Sequence, residues 1–242
     1  MNKTYLYPYS AEEARRRNEM SLWRASHKAN LACKEEIELA IGTHFDGTHL
    51  EEGCAEGVIR EYGYKRVQWV LSHTIQQLDW SDRFSQANKE WARQTYIPKD
   101  RAHVTDLIIV SDPAVVDLFA TQFQCAYQEL GLFGPTQCEP NSFEKLDYEG
   151  KVLVLSTDTL KETYWTPQAQ LWYAHDGFGC SPKAIGRSIR CTCLGDGEMT
   201  RWNRTDFIGV LDEQYLPDWA AEKLTQLTGQ EQTAPTMGGM TM

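Results

Sequence analysis

The sequence has no uninterrupted apolar segment of the roughly 18 residues that a membrane-spanning helix needs. Its N-terminal segment also lacks the apolar core of a secretory signal peptide. The seven cysteines are an odd number without the spacing of a disulfide framework, which is typical of reduced thiols. We therefore expect a cytoplasmic protein with no membrane partner, whose thiols are reduced and mostly buried.

Basic residues are the minority of the charged ones. Lysine and arginine number 24 against 34 aspartates and glutamates, which gives a formal net charge of −10. Binding of nucleic acid over the whole surface needs a basic surface, so this composition argues against that class of protein. An acidic excess is typical of soluble proteins, and it also fits a protein that competes for a basic surface of another protein.

The glycine-rich segment from Asp176 to Arg187 contains no nucleotide-binding motif. A Walker loop requires two glycines separated by four residues and followed by Lys and Ser or Thr. Gly179 and Gly186 are separated by six residues, and Arg187 follows them. The sequence also has no Gly-x-Ser-x-Gly elbow and no His-Glu-x-x-His helix. We expect no cofactor and no enzymatic activity. We expect the isolated histidines, which include His27, His73 and His103, to be packed in the core or exposed on the surface rather than catalytic.

The spacing of histidine and cysteine does not indicate a metal site. A structural zinc site usually has two pairs of ligands, each pair two to four residues apart. His44, His49 and Cys54 are five apart, and Cys191 and Cys193 are a single close pair. Residues two apart share one face of a strand, where these two thiols more simply pack inward. We expect no bound metal.

The N-terminal half has the apolar periodicity of successive helices. Ser10 and Glu13 are spaced as a capping box at the start of the first helix. Further helices are predicted over residues 21–41, 51–62, 65–78 and 84–95. The expected buried stripes are Leu22, Ala25, Ala29, Ala32, Ile37 and Ile41 in the 21–41 helix, and Val67, Val70, Leu71, Thr74, Ile75 and Leu78 in the 65–78 helix.

The pattern changes after Pro98. A short β-branched run over residues 106–110 precedes a helix that begins at Asp112-Pro113 and should reach Leu130. Strands are then predicted over 151–156, 170–176, 188–194 and 198–203, with a closing helix over 217–227. The sequence thus predicts an α+β fold. A helical domain (1–100) precedes a domain with a small antiparallel, barrel-like sheet (101–227) and a disordered tail (228–242).

The segment from Leu194 to Arg204 joins the last two predicted strands through Asp196-Gly197. Two carboxylates on a strand cannot form a calcium loop, whereas Asp-Gly between alternating runs is a strong hairpin signal. With Asp196-Gly197 as a two-residue turn, Cys191 lies opposite Trp202, and Arg190 lies opposite Asn203. The predicted core face carries Ile189, Cys191, Cys193, Thr200 and Trp202, and the predicted outer face carries Arg190, Thr192, Arg201 and Asn203.

Basic residues concentrate around this hairpin. Between Lys183 and Arg204 there are five basic residues and two acidic ones, in contrast to the acidic chain as a whole. The guanidinium group fits carboxylates and phosphates. Two interpretations remain open: the arginines pair with acids of the same chain, such as Asp206, Asp212 or Glu213, or they bind a partner. The candidate partner-binding residues are Arg187, Arg190, Arg201, Asn203 and Arg204.

Three segments resemble a family of uncharacterised proteins: LYPYSAEEARRRNEMSLWRASHKANLACKEEIELAI, HFDGTHL and YAHDGFGCSPKAIGRSIRCTCLGDGEMTRWNRTDFIGVLDEQYLPDW. Conjugative elements and prophages of gut Firmicutes carry this family, and similar segments occur within their large polyvalent proteins. The resemblance covers roughly residues 5–227. It supplies no catalytic motif, and it implies a role in establishing or protecting a mobile genetic element.

We therefore expect a non-enzymatic accessory protein that binds and inhibits a host defence nuclease, of the anti-restriction or anti-CRISPR type. Its acidic surface would occupy a basic nucleic-acid channel, or its arginine face would dock on a protein. The first alternative is a nucleic-acid-binding accessory domain that uses the hairpin at residues 187–204. The second is an enzyme with an unrecognised site. A basic groove favours the first alternative, and a deep pocket with converging histidines and carboxylates favours the second.

Overall fold

The computed structural model describes residues 5–100, 105–184 and 186–233, with side chains up to residue 229. The chain forms two compact units that divide after Glu129. We call them the helical unit (residues 1–129) and the sheet unit (residues 130–242). None of the helices in the described residues combines the length and the apolar character that crossing a membrane requires.

The described part of the helical unit contains helices α1 (Ala11–Arg16), α2 (Met20–His44), α3 (Cys54–Tyr62), α4 (Tyr64–Gln77), α5 (Gln86–Arg93) and α6 (Pro113–Gln128). Ser10 caps α1 as predicted, because its hydroxyl accepts a hydrogen bond from the Glu13 backbone N–H at 3.2 Å. Glu13 does not complete the predicted capping box. Its carboxylate instead accepts a hydrogen bond from Arg17 Nε at 2.8 Å.

The predicted buried stripe of α4 is confirmed, with Leu78 half-buried at its end. The predicted stripe of α2 is wrong in its first half, where Leu22 is 49% exposed. The buried positions there are Ser26 and Asn30, whose polar groups bind the buried Arg66. Arg66 Nη1 donates to the Ser26 carbonyl at 3.1 Å and to the Asn30 side-chain oxygen. Hydrophobic periodicity misses such a stripe because polar residues form it.

The segment between α5 and α6 contains no strand among its described residues. Residues 105–107 form a turn and residue 108 a bend, so the β-branched run noted at 106–110 is not a strand. Ile109 is buried, and its N–H donates to Thr74 Oγ1 at 3.1 Å. Helix α6 begins at Pro113 with Asp112 as its cap, as predicted. It packs against α2, α3, α4 and α5 in the helical unit, whereas the sequence placed the domain boundary after residue 100.

The sheet unit is built on five antiparallel strands in the order β4-β3-β2-β1-β5. The strands are β1 (Val152–Leu155), β2 (Leu171–Asp176), β3 (Ser188–Cys193), β4 (Met199–Asn203) and β5 (Phe207–Val210). Strands β1 to β4 were predicted, whereas β5 was not. The sheet is open, so the α+β class is confirmed and the barrel-like closure is not.

Both faces of the sheet are covered, which explains why all four residues of β1 are buried. Leu153 and Leu155 pack into one apolar cluster, and Val152 and Val154 pack into the cluster on the other face. The remaining helices are α7 (Ser142–Lys145), α8 (Pro167–Gln170) and α9 (Asp218–Thr233). Helix α9 contributes Ala220, Trp219, Leu224 and Leu227 to the second cluster. It continues to residue 233, so residues 228–233 of the predicted tail are helical; residues 234–242 lie outside the described residues.

Candidate functional site

The hairpin that carries the candidate arginines has a longer loop than predicted. Cys193 N–H donates to the Glu198 carbonyl at 2.8 Å, which leaves residues 194–197 as a four-residue loop. Arg190 therefore lies opposite Arg201 and Ile189 opposite Trp202, so the predicted register is wrong by two residues. The reason is tertiary. Leu194 N–H donates to the Leu171 carbonyl at 2.8 Å and thus extends the pairing of β3 with β2 rather than with β4.

The predicted faces of the hairpin are nevertheless observed, because a shift by two residues preserves the alternation of side chains. Ile189, Cys191 and Cys193 are buried on the core face. Trp202 is half-buried there and contacts Trp172 edge-on, with ring centroids 5.6 Å apart. On the outer face Arg190, Arg201 and Asn203 are exposed. Thr192 is buried, and its hydroxyl lies 2.7 Å from His175 Nε2.

Three arginines line one surface concavity of about 320 Å³. They are Arg187, Arg190 and Arg201, and they share it with Asp176, Gly177, Phe178 and Ser188. The Phe178 ring is 84% exposed beside them. Gly177 is required at this point, since its φ is +126° and a Cβ there would lie 2.6 Å from the Ser188 carbonyl oxygen. We refer to Arg187, Arg190 and Arg201 with this concavity as the arginine face.

None of the internal acids named as candidate partners, Asp206, Asp212 and Glu213, forms an ion pair with these arginines within the described residues, and two of them bind backbone N–H groups instead. Asp206 accepts from the Asn203 backbone N–H at 2.7 Å, and Asp212 accepts from the Gln214 backbone N–H at 3.1 Å. Arg190 binds Asp176, with Nη2 and Oδ2 2.6 Å apart. Within the part of the chain that the structure describes, Arg187 and Arg201 form no ion pair. Two positive charges on the arginine face are thus unneutralised.

Arg204 does not belong to the arginine face. Its side chain is fully buried, and its guanidinium group lies 3.6 Å above the Tyr148 ring. It donates to backbone carbonyls of five residues, with the distances ranging from 2.6 to 3.3 Å: Ser142, Phe143, Leu146, Gly179 and Cys180. Its expected role as a partner-binding residue is corrected: Arg204 joins α7 and its C-cap residue Leu146 to the glycine-rich loop before β3.

The candidate metal ligands of the sequence do not converge. Within the described residues no three His, Cys, Asp or Glu side chains are arranged to hold a metal ion. His44 instead lies 2.6 Å from Glu51, through Nδ1 and Oε2. Burial raises the pKa of Cys191 to about 12 and that of Cys193 to about 11, so both thiols stay protonated at neutral pH.

A second pocket lies in the helical unit, and sequence reasoning missed it. Helices α2 and α4 each carry the pentapeptide Trp-x-x-Ser-His, at residues 23–27 and 69–73. In both helices the Trp and His rings stack, with centroids 4.8 Å apart in the first and 5.4 Å in the second. All four rings line one pocket together with Tyr7, Tyr9, Asn30 and Asp100. The repeated pentapeptide is the sequence signal that could have indicated this pocket. His103, the third histidine predicted to be packed or exposed, lies outside the described residues.

The chemistry of this aromatic pocket is limited by its size. His73 is 4% exposed, and its Nδ1 has no hydrogen-bond partner among the residues that the structure describes. Burial lowers the pKa of His73 to about 4, so the imidazole is neutral at pH 7. The cavity volume is about 40 Å³. A water molecule needs about 10–15 Å³ by this measure, so the pocket accommodates about three waters and is too small to enclose a nucleotide.

Comparison with known families identifies the helical unit. Residues 6–128 match the family model described as "Protein of unknown function (DUF3849)". The chain belongs to this family. The match ends one residue before the division after Glu129, so it includes the aromatic pocket and excludes the arginine face. No curated protein and no solved structure matches the chain.

Proposed function

We propose that this is a non-enzymatic interaction protein whose sheet unit binds a partner through carboxylate or phosphate groups. One observation carries the proposal: Arg187 and Arg201 are exposed beside a concavity without an ion pair in the described residues. Unneutralised arginines on a chain of net charge −10 form a local surface of opposite sign. A guanidinium group binds a carboxylate or phosphate by two parallel hydrogen bonds, which gives such a surface geometric selectivity.

The residues of the arginine face have different roles. Arg187 and Arg201 offer free guanidinium groups to the partner. Arg190 is held by Asp176, and it can exchange that exposed carboxylate for one of the partner because exposed ion pairs contribute only about 0–1 kcal/mol. The exposed ring of Phe178 adds an apolar contact, as aromatic side chains commonly do at interfaces. Asn203 lies on the same side of β4 and adds a polar group at the rim.

The partner class follows from the resemblance to proteins of conjugative elements and prophages. A protein that protects a mobile element acts on host defence, so a host defence nuclease or its nucleic-acid complex is the proposed partner. We place the interaction in the cytoplasm, where such nucleases act. Inhibition would follow from occupation of the nuclease surface, without any chemical step on this chain.

The decisive comparison uses two double variants of equal charge. Arg187→Ala with Arg201→Ala removes the free arginines, and Arg24→Ala with Arg60→Ala removes two exposed arginines of the helical unit. Wild type and the control should retain a host nuclease from lysate and protect its substrate from cleavage. The arginine-face variant should remain folded and lose both properties. Equal retention and equal protection by all three proteins would overturn the proposal.

Nucleic-acid binding by the same arginines is the competing outcome. It is tested by titrating single-stranded and duplex oligonucleotides at several salt concentrations. Phosphate contacts release counterions, so such binding would weaken steeply with salt. Binding of wild type and not of the arginine-face variant would replace the protein-partner proposal with the nucleic-acid alternative.

A further inference from the structure

The two edge strands of the sheet, β5 and β4, differ in whether other segments of the chain bond to their outward backbone groups. The β5 edge is covered by the segment that precedes α7. Glu139 N–H donates to the Val210 carbonyl at 2.8 Å, and Val210 N–H donates to Ser142 Oγ at 3.1 Å. Cys138 and Leu211 extend this contact as an antiparallel bridge. Both outward backbone groups of Val210 are thus bonded within the chain, so this end of the β5 edge is occupied.

The β4 edge is open in the described residues. Cys193 N–H donates to the Glu198 carbonyl, and Arg204 N–H donates to the Arg187 carbonyl, which fixes the phase of hydrogen bonding between β3 and β4. In an antiparallel pair every second residue directs its N–H and C=O groups away from the neighbouring strand. Met199, Arg201 and Asn203 are the residues so directed, and all three side chains are exposed. The N–H of Asn203 is bonded to Asp206 Oδ2, whereas the outward backbone groups of Met199 and Arg201 have no partner among the described residues. An added strand would find four unused backbone groups there.

We propose that β4 is the docking edge for an extended acidic segment of the partner, which adds to the sheet as a further strand. This inference rests on the proposed function and specifies how the partner is held. Strand addition supplies affinity through backbone hydrogen bonds, and side chains on alternate positions supply specificity. Both features meet at β4, because Arg201 belongs at once to the open edge and to the arginine face.

The two faces of the hairpin determine the side chains of the added strand. Side chains directly opposite each other on paired strands are about 4.5–5.5 Å apart at Cβ, and opposite charges there stabilise the pairing. A carboxylate beside Arg201 meets this condition. The next residue of the partner points to the other face, towards the half-buried Trp202, where an apolar side chain fits. The partner segment therefore alternates acidic and apolar residues.

A second copy of this chain fits the edge less well. Antiparallel pairing of β4 with its own copy about Arg201 would place two arginines of the same sign opposite each other, which destabilises the pair. Arg190 already lies opposite Arg201 within the hairpin and would add to the repulsion. Each copy also has a net charge of −10. Charge complementarity thus selects an acidic strand of another protein.

The test uses the full chain and a short acetylated peptide of alternating glutamate and valine. Met199→Pro removes one outward N–H and leaves the bonds between β4 and β3 in place, since proline is tolerated where the strand N–H faces solvent. Its matched control, Met199→Ala, keeps the N–H. We expect wild type and M199A to bind equally and M199P to bind about tenfold more weakly, or worse. Amide exchange at Met199 and Arg201 should slow when the peptide is added.

The outcomes separate this inference from the proposed function. Equal binding by M199P and wild type, or unchanged exchange at Met199 and Arg201, overturns strand addition. If the arginine-face variant still loses its nuclease in that case, the proposed function stands. A lysine-valine peptide that binds as tightly as the glutamate-valine peptide contradicts the acidic occupant. A dimer that sedimentation detects in wild type and not in M199P identifies a second copy as the occupant and overturns the proposal. Should M199P fail to fold, the exchange measurement on wild type decides alone.

Discussion

Arg201 and Arg204 are three positions apart and carry the same charge, yet one is exposed and the other is fully buried. Neither local composition nor strand alternation distinguishes them. The difference arises because the carbonyls that surround Arg204 come from segments about 25 and 60 residues earlier in the chain. The guanidinium group of Arg204, with its backbone acceptors, therefore stabilises the fold of the sheet unit.

Replacement of Arg204 by Ala should lower the free energy of unfolding by about 3–5 kcal/mol, because several buried carbonyls would lose their donor. Arg204→Lys should recover only part of this, since an ammonium group cannot reach the same carbonyls as the planar guanidinium. Denaturant unfolding of the full chain measures both values. The control Arg187→Ala, at an exposed site, should change stability by less than about 0.5 kcal/mol. Wild-type stability in Arg204→Ala would contradict the burial described above.

His73 makes stability depend on pH. Burial lowers the pKa of His73 from 6.5 to about 4. Between pH 6.5 and pH 4 this imidazole is therefore protonated in the unfolded chain and neutral in the folded chain. This contribution is fully present above pH 6.5 and is lost as the pH falls towards 4. The shift corresponds to about 3 kcal/mol of stability lost on acidification.

His73→Phe should therefore flatten the dependence of unfolding free energy on pH between 6.5 and 4, and it should preserve the stacking on Trp69. The matched control is His27→Phe, at the corresponding position of the first Trp-x-x-Ser-His pentapeptide. That variant keeps His73 and should keep the slope that His73 contributes. Urea unfolding at pH 7 and pH 4.5 provides the measurement. Identical slopes in wild type and His73→Phe would show that another group controls acid stability.

At the scale of elements, we expect the two faces of the β3–β4 hairpin to have different roles: its core face stabilises the fold, and its outer face binds the partner. Trp202→Ala should cost about 2–3 kcal/mol, somewhat below the 3–5 typical of a fully buried aromatic residue. Arg190→Ala combined with Arg201→Ala should change the melting temperature little, because it removes one exposed ion pair and one repulsive cross-strand contact. Thermal unfolding compares the two. A loss in the arginine pair as large as in Trp202→Ala would mean that the arginine face also supports the fold.

The elements that the sequence missed share a physical cause. Strand β5 has only four residues and is interrupted by Gly209, which weakens its strand signal. Glycine is needed there because a Cβ would collide with Ser142 Oγ, a group some 67 positions earlier in the chain. The polar stripe of α2 exists because Arg66 lies against it. Both features depend on residues distant in the chain, which local periodicity does not register.

At the scale of the whole molecule, the family match covers one unit and the proposed partner surface lies on the other. The helical unit coincides with the DUF3849 match and contains the aromatic pocket. The sheet unit lies beyond that match, and the proposed partner surface lies on it. Each unit has its own apolar core: among the described residues, one cluster lies in the helical unit and two lie in the sheet unit. The proposed binding role therefore concerns the sheet unit, and the family match concerns the helical unit.

The sequence by itself determined the α+β class, the starts of α1 and α6, the strands β1 to β4, and the two faces of the hairpin. Each of these depends on side chains a few positions apart, through capping or through alternation. The tertiary structure alone decided the hairpin register, the burial of Arg204, the pairing of the two Trp-His stacks and the open edge at β4. These depend on which distant backbone groups meet. Leu194 bonds to β2 rather than to β4, and residues before α7 bond to β5. Within the described residues, the outward backbone groups of Met199 and Arg201 on β4 meet no such segment.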